Sequence, residues 1–133
     1  MLLIYSERFY ERQFTTRKKS NFELLERFEN ILLKHFGKSA SLENGIPTVK
    51  ALADELNISC NYLGTLLRLH TEQNTQQHIQ NKMIDYAKEK LSTTELPVST
   101  IAYELGFEHP QSFSKLFKLK TGKTPVEFRQ LFN

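Results

Sequence analysis

The sequence predicts an all-α chain: two helix-turn-helix units joined by a long linker helix, with an N-terminal helical extension. Three observations carry this. Apolar residues recur at three- and four-residue spacing instead of alternating. Glycine and proline are sparse, at five and four in 133 residues. Polar residues that satisfy free amides at helix starts stand directly before the apolar runs.

The elements follow in chain order. Met1-Leu2-Leu3-Ile4-Tyr5 is apolar but lacks the basic flank and cleavage site of a signal peptide. Tyr5, Phe9, Tyr10 and Phe14 continue this aromatic start. Ser20 with Glu23 three residues later forms a capping-box pair, after which Phe22, Leu25, Phe28, Leu32 and Phe36 fall on one helical face. Gly37 is placed to end that helix in the left-handed region. Residues 38–47 have loop composition and mark the main boundary, dividing an extension over 1–45 from a domain over 46–133.

Beyond the loop, Thr48 caps a short helix to about Leu56, and a second helix covers about Ser59 to Thr71. Asn74 and Gln77 open a linker helix over about 75–91, with Ile79, Met83, Ala87 and Leu91 in one stripe. A short helix is expected from Val98 to Leu105. The next begins at Pro110, a residue suited to a first helical position, and ends near Thr121 before Gly122. Thr124-Pro125-Val126-Glu127 is a further capping box that opens a final helix over about 125–132.

Within these elements one pattern occurs twice. Val49, Leu52, Ala53, Glu55 and Leu56 recur 49 positions later as Val98, Ile101, Ala102, Glu104 and Leu105. Leu63, Leu66, Leu67, Arg68, Leu69 and Thr71 recur 50 positions later as Phe113, Leu116, Phe117, Lys118, Leu119 and Thr121. The change of register falls in the turn, where an insertion is tolerated. Each copy, over about 48–71 and about 98–121, reads as a helix-turn-helix. Ala53 and Ala102 permit a steep, close helix crossing. Asn57 and Gly106 sit in the turns, where positive φ is cheap for Gly and tolerable for Asn. Ile58 and Phe107 plug the core from those turns. Leu63, Leu66 and Leu67, and Phe113, Leu116 and Phe117, bury one side of the second helix and leave the other side free to enter a groove. A bundle whose hairpins only pack on each other requires neither two copies in register nor a basic tail.

That tail is visible in the charges. The net charge is +3, yet residues 46–108 hold five Lys/Arg against eight Asp/Glu, while residues 109–133 hold five against Glu127 alone. The cations Lys115, Lys118, Lys120, Lys123 and Arg129 suit a polyanionic partner. Cys60 is the single cysteine, so no intrachain disulfide is possible and a reducing compartment is expected. No apolar run approaches the roughly 20 residues of a membrane span.

The residues of the second unit also carry a resemblance. Ile101-Ala102-Tyr103-Glu104-Leu105-Gly106-Phe107, then Phe113-Ser114-Lys115-Leu116-Phe117-Lys118-Leu119-Lys120-Thr121-Gly122 and Thr124-Pro125-Val126-Glu127-Phe128-Arg129, resemble the signature of the AraC/XylS family of transcription regulators. The first unit fits more loosely, with Glu72 where the second copy has Gly122 and Leu67 where an aromatic is common. The resemblance implies a seven-helix domain whose two recognition helices enter successive major-groove segments of double-stranded DNA. The expected linker length, about 25 Å, is compatible with units near a ~34 Å groove repeat. It further implies a bacterial, cytoplasmic regulator of transcription that acts at the nucleoid as an activator, with an upstream sensing and dimerisation domain whose trailing edge would be the apolar start. RNA polymerase, and a second copy meeting through the extension or the upstream domain, are the further partners. The Phe22–Phe36 face is expected to pack on the DNA-binding domain or on that second copy.

By similarity, the first recognition helix offers Asn61, Gly64, Thr65 and Arg68 to DNA, and the second offers Gln111, Ser112, Ser114, Lys115 and Lys118. Gln111 suits adenine and Lys115 suits guanine, in contacts of about 1–3 kcal/mol, whereas Lys118 suits a phosphate. Gly64 departs from the pattern, since glycine within a helix costs about 0.8–1 kcal/mol relative to alanine. Two readings are open: close backbone approach to DNA, or a first unit that contributes little specificity. The second is preferred, because Arg68 is that helix's only formal cation. An enzyme has no support. There is no phosphate-cradling glycine loop, and His35, His70, His78, His109 and Cys60 lack metal-ligand spacing, so neither cofactor nor metal is expected. A helical interaction module without DNA binding is the remaining rival, distinguished by the absence of salt-dependent binding.

Overall fold

Local backbone chemistry decides where most of the helices begin. The computed structural model describes residues 20–37 and 45–132, and among these it contains seven helices and no strand. We number them α1 (20–35), α2 (Val49–Glu55), α3 (Cys60–Thr71), α4 (Thr75–Thr93), α5 (Val98–Glu104), α6 (Pro110–Thr121) and α7 (Pro125–Gln130). The apolar start, with Tyr5, Phe9, Tyr10 and Phe14, lies outside the described residues, as does most of the loop after Gly37.

The caps expected at Thr48, Asn74 and Thr124 are formed, and Ser59, expected only near a helix start, caps α3 as well. The Thr48 hydroxyl accepts from the Ala51 amide at 3.1 Å, and the Ser59 hydroxyl from the Tyr62 amide at 3.0 Å. Asn74 and Gln77 satisfy each other's amides at 2.8 and 3.1 Å, as do Thr124 and Glu127 at 3.2 and 3.4 Å. Each such cap contributes on the order of 1 kcal/mol. The second unit starts differently: α5 and α6 follow Pro97 and His109 without a side-chain cap, and Pro110 removes one amide that would otherwise need a partner. Ser20 is not the cap expected of it, because it is already helical. The linker helix α4 runs two residues past Leu91 to Thr93.

The duplication is carried into the backbone. Asn57 and Gly106 both have positive φ, at 58° and 96°. The amides just after them, Ile58 and Phe107, return to the carbonyls of Ala53 and Ala102 at 3.1 and 3.0 Å. The second helix of each unit ends in the same way. The Thr71 and Thr121 hydroxyls donate to Leu67 and Phe117 carbonyls at 2.6 and 2.8 Å, and Glu72 and Gly122 adopt left-handed φ of 60° and 81°. A polar hydrogen-bond pattern is thus preserved over two copies whose apolar residues differ.

Packing joins all seven helices. Ile79, Met83, Ala87 and Leu91 form a fully buried stripe on α4, and Leu52, Leu63 and Leu67 meet it from the first unit. Burying such a side chain contributes about 1.5–3 kcal/mol. The second unit is aromatic where the first is aliphatic. Phe107, Phe113, Phe117, Phe128 and Phe132 form a continuous run of rings, with successive centroids 5.3–5.8 Å apart. Leu116, expected to be buried, is only half-buried, as is Ile58, although both touch the core. Arg129 fastens α7 to the end of α4, its Nε donating to the Leu91 carbonyl at 3.2 Å.

Helix α1 belongs to the same core. Phe28, Leu32 and Phe36 are buried, and Phe28 and Phe36 lie against His78 and Tyr86 of α4 at 5.4 and 5.6 Å. Of the two placements expected for this face, packing within the chain is the one formed. Phe22 does not share in it and is 60% exposed. Gly37 ends the helix with φ 76°, as expected.

Candidate nucleic-acid interface

The two recognition helices bury one side each and present the other. On α3, Leu63, Leu66 and Leu67 are buried; on α6, Phe113 and Phe117 are. Helical geometry then puts positions i, i+3, i+4 and i+7 together on the opposite side. On α3 these are Asn61, Gly64, Thr65 and Arg68. On α6 they are Gln111, Ser114, Lys115 and Lys118, the same positions of the repeat. Gly64 and Ser114 are half-buried, and the other six are exposed.

On α6 the four residues are brought together. Gln111, Ser114, Lys115 and Lys118 line an open depression of about 530 Å³, completed by Pro110 and Thr124. Neither completing residue was legible as a site residue. Thr124 carried a signal only as a helix cap, and its position beside α6 comes from the tight link between Gly122 and α7. Ser112 is exposed but stands off this depression. Its counterpart in the first copy is Tyr62, whose hydroxyl turns towards α1 and donates to the Asn21 side chain at 3.1 Å. The repeat therefore places Ser112 one step around the helix from its expected companions.

The first face is different in character. Gly64 has room: a β-carbon built on it would meet only the Thr75 hydroxyl, at 3.9 Å. Packing does not demand glycine there. Cys60, at the first position of α3, is exposed.

Charge follows the same asymmetry. Arg68 is the cation of the first face, and Lys115 and Lys118 are those of the second. None of the three forms an ion pair among the described residues; the pair formed there joins Glu29 to Lys82, with His78 Nε2 3.6 Å from the same carboxylate. Glu127 sits near Lys118 and Lys123. Its carboxyl is held below the usual carboxylate range, first by the Thr124 hydroxyl, then by the Thr124 amide, with the two lysines adding to the effect. The ionised Glu127 carboxylate offsets part of the charge of Lys118 and leaves Lys115 the less compensated of the two.

Among the described residues no cluster of three or more His, Cys, Asp or Glu could hold a metal ion, and no helix is long and apolar enough to cross a membrane.

Comparison with known proteins agrees with this arrangement. The family described as "Helix-turn-helix domain" matches residues 52–131. The raffinose operon transcriptional regulatory protein RafR of Pediococcus pentosaceus is 34% identical over 83 residues, 62% of this chain. The chain spans only 30% of that relative's length. The C-terminal domain of the two-component response regulator yesN from Fusobacterium nucleatum superposes with a TM-score of 0.66 at 29% identity, covering 78% of this chain and 95% of that one. The C-terminal domain of AraT, a response regulator from Geobacillus stearothermophilus, gives 0.69 at 27% identity, covering 81% and 84%.

Proposed function

Because the chain belongs to the AraC/XylS family of DNA-binding transcription regulators, we propose that it reads one face of a DNA duplex with two recognition helices in successive major-groove segments. The single observation that supports this most is the repetition of one outward face. Asn61, Gly64, Thr65 and Arg68 on α3 are matched position for position by Gln111, Ser114, Lys115 and Lys118 on α6. A linker of 19 residues, about 28 Å long, joins the units and is compatible with a ~34 Å groove repeat.

The roles divide by chemistry. Gln111 pairs with adenine and Lys115 with guanine; Arg68 and Lys118 meet phosphates; Thr65 and Asn61 add contacts of lesser weight, and Ser112 binds from the flank. Residues 46–133 form the DNA-binding part, and residues 1–45 are its N-terminal extension. The chain works as a binder without catalysis, in the bacterial cytoplasm at the nucleoid, with RNA polymerase as a further partner when it activates. Any second copy joins through upstream residues, since the buried face of α1 is already occupied.

Titration of the purified chain against duplexes selected from random sequence tests the reading. The logarithm of affinity falls linearly with the logarithm of salt concentration, and Lys115→Ala weakens binding about tenfold or more while Thr65→Ala changes it far less. Binding without salt dependence would favour the interaction module instead, and equal losses for the two variants would overturn the ranking of the helices.

A further inference from the structure

We infer that α1 forms a brace that fixes the setting of α6 relative to α3, making Asn21, Phe22, Tyr86 and Glu104 positioning residues for the two-helix face. This rests on the reading of that face as a DNA surface and adds the element that holds its halves in relation.

The contacts of α1 are distributed along its length, and they reach both units. At its start, Asn21 accepts from the Tyr62 hydroxyl of α3 at 3.1 Å, and the Phe22 ring meets the His70 ring edge-on at 5.9 Å. In its middle, Phe28 lies against His78 of α4, and the Glu29 carboxylate stands 3.6 Å from His78 and 3.5 Å from Lys82. At its end, Phe36 packs on Tyr86, and the Gly37 amide donates to the Glu104 carbonyl of α5 at 3.0 Å. The Tyr86 hydroxyl donates to the carboxylate of the same Glu104 at 2.9 Å.

Gly45 adds a further contact between α1 and the second unit. His35 Nε2 lies 3.1 Å from the Gly45 carbonyl oxygen, and Gly45 rests on Gly106. A β-carbon built on Gly106 would lie 2.5–2.6 Å from the carbonyl carbon and oxygen of Gly45 and the amide nitrogen of Ile46. The turn of the first unit has a similar φ but carries Asn57, whose side chain is exposed. The difference between the two turns is thus explained by what touches them. Left-handed backbone is common to both, while the close approach of the Gly45–Ile46 backbone is particular to Gly106.

The mechanical consequence follows from counting rods. With α4 alone, the units are joined by one helix flanked by two short links, at residues 72–74 and 94–97, and rotation about those links is resisted only by local packing. A second helix anchored to both units closes a frame.

Cys60, the single cysteine, is exposed at the start of α3, and Lys120→Cys places a second thiol on the exposed surface of α6. Nitroxide labels on these two report the distance between the recognition helices by double electron–electron resonance, with no DNA present. The labelled chain gives a narrow distribution. Asn21→Ala/Phe22→Ala, which frees the α3 end, and Tyr86→Phe, which loosens the Glu104 end, broaden it while helical circular dichroism is retained. An unchanged distribution in both variants overturns the brace, whether or not the chain binds DNA. On duplexes recovered by selection, inserting one base pair between half-sites weakens the unlabelled parent chain about tenfold and these variants only about twofold. A penalty as large in the variants as in the parent overturns the positioning role. A parent chain that binds no duplex refutes the DNA reading itself, and the distance measurement still decides the brace.

Discussion

Exchanging the residues that end the two recognition helices isolates one backbone term, with the repeat as its own control. Glu72 and Gly122 occupy the same place and both adopt left-handed φ, 60° and 81°. An L-residue there is disfavoured by about 1–2 kcal/mol, while glycine gives back about 0.4–1 kcal/mol through the freer unfolded chain. The Glu72 side chain is exposed and forms no hydrogen bond or ion pair among the described residues. Its negative charge also stands at a helix C-terminus, where the dipole disfavours it. Glu72→Gly is therefore expected to stabilise the fold by about 0.5–1 kcal/mol, raising Tm by roughly 2–5 °C. Gly122→Ala is expected to do the reverse by a similar amount. A β-carbon at Gly122 meets nothing within 4 Å, so the loss is conformational alone. Thermal unfolding followed at 222 nm, with urea titration as a check on two-state behaviour, measures both. If Glu72→Gly is neutral or destabilising, or Gly122→Ala is without effect, the attribution to backbone conformation is wrong.

Other expectations concern the first recognition face and the α1–α4 contact. Gly64→Ala should raise stability by about 0.8–1 kcal/mol, because the site has room and alanine is the better helix former. If affinity for selected duplexes is retained, close backbone approach to DNA is excluded at this position. His78 is buried, and its pKa is held below the usual 6.5, chiefly by burial and also by Lys82, against the opposing pull of Glu29 and Asp85. The folded state thus resists protonation. This contribution to stability is complete above pH 6.5 and is lost as pH falls through the depressed value. His78→Gln should flatten that acid limb in denaturation curves taken across pH 5–7; an equally steep limb in the variant would assign it to other groups.

Local signals were the most legible part of this fold. Thr48, Asn74 and Thr124 act on amides three residues away, so their sequence context is their structural context. The turns at Asn57 and Gly106 were legible because few residues tolerate positive φ. Relations across the chain were less so. Periodicity places Phe22 beside Phe28 on one face, but it does not say where the partner helix ends. Phe22 is 60% exposed and meets the edge of His70 on α3. The fastening of Gly45 onto Gly106 joins residues 61 apart and leaves no local pattern. In the candidate site, the family resemblance pointed to Gln111, Ser114, Lys115 and Lys118, which line one depression, and equally to Ser112, which stands off it; Thr124 was missed because capping already accounted for it.

A chain that contains one motif twice risks pairing the wrong halves as it folds, a hazard known in tandem repeats. Here the copies share a hydrogen-bonding skeleton but not a filling: Leu63 and Leu67 in one, Phe113 and Phe117 in the other. Larger rings would not fit the aliphatic half, and leucines would leave voids in the aromatic one. Divergence of the fillings gives each helix a single correct mate, so a duplicated ancestor could lengthen its reach without becoming ambiguous to itself.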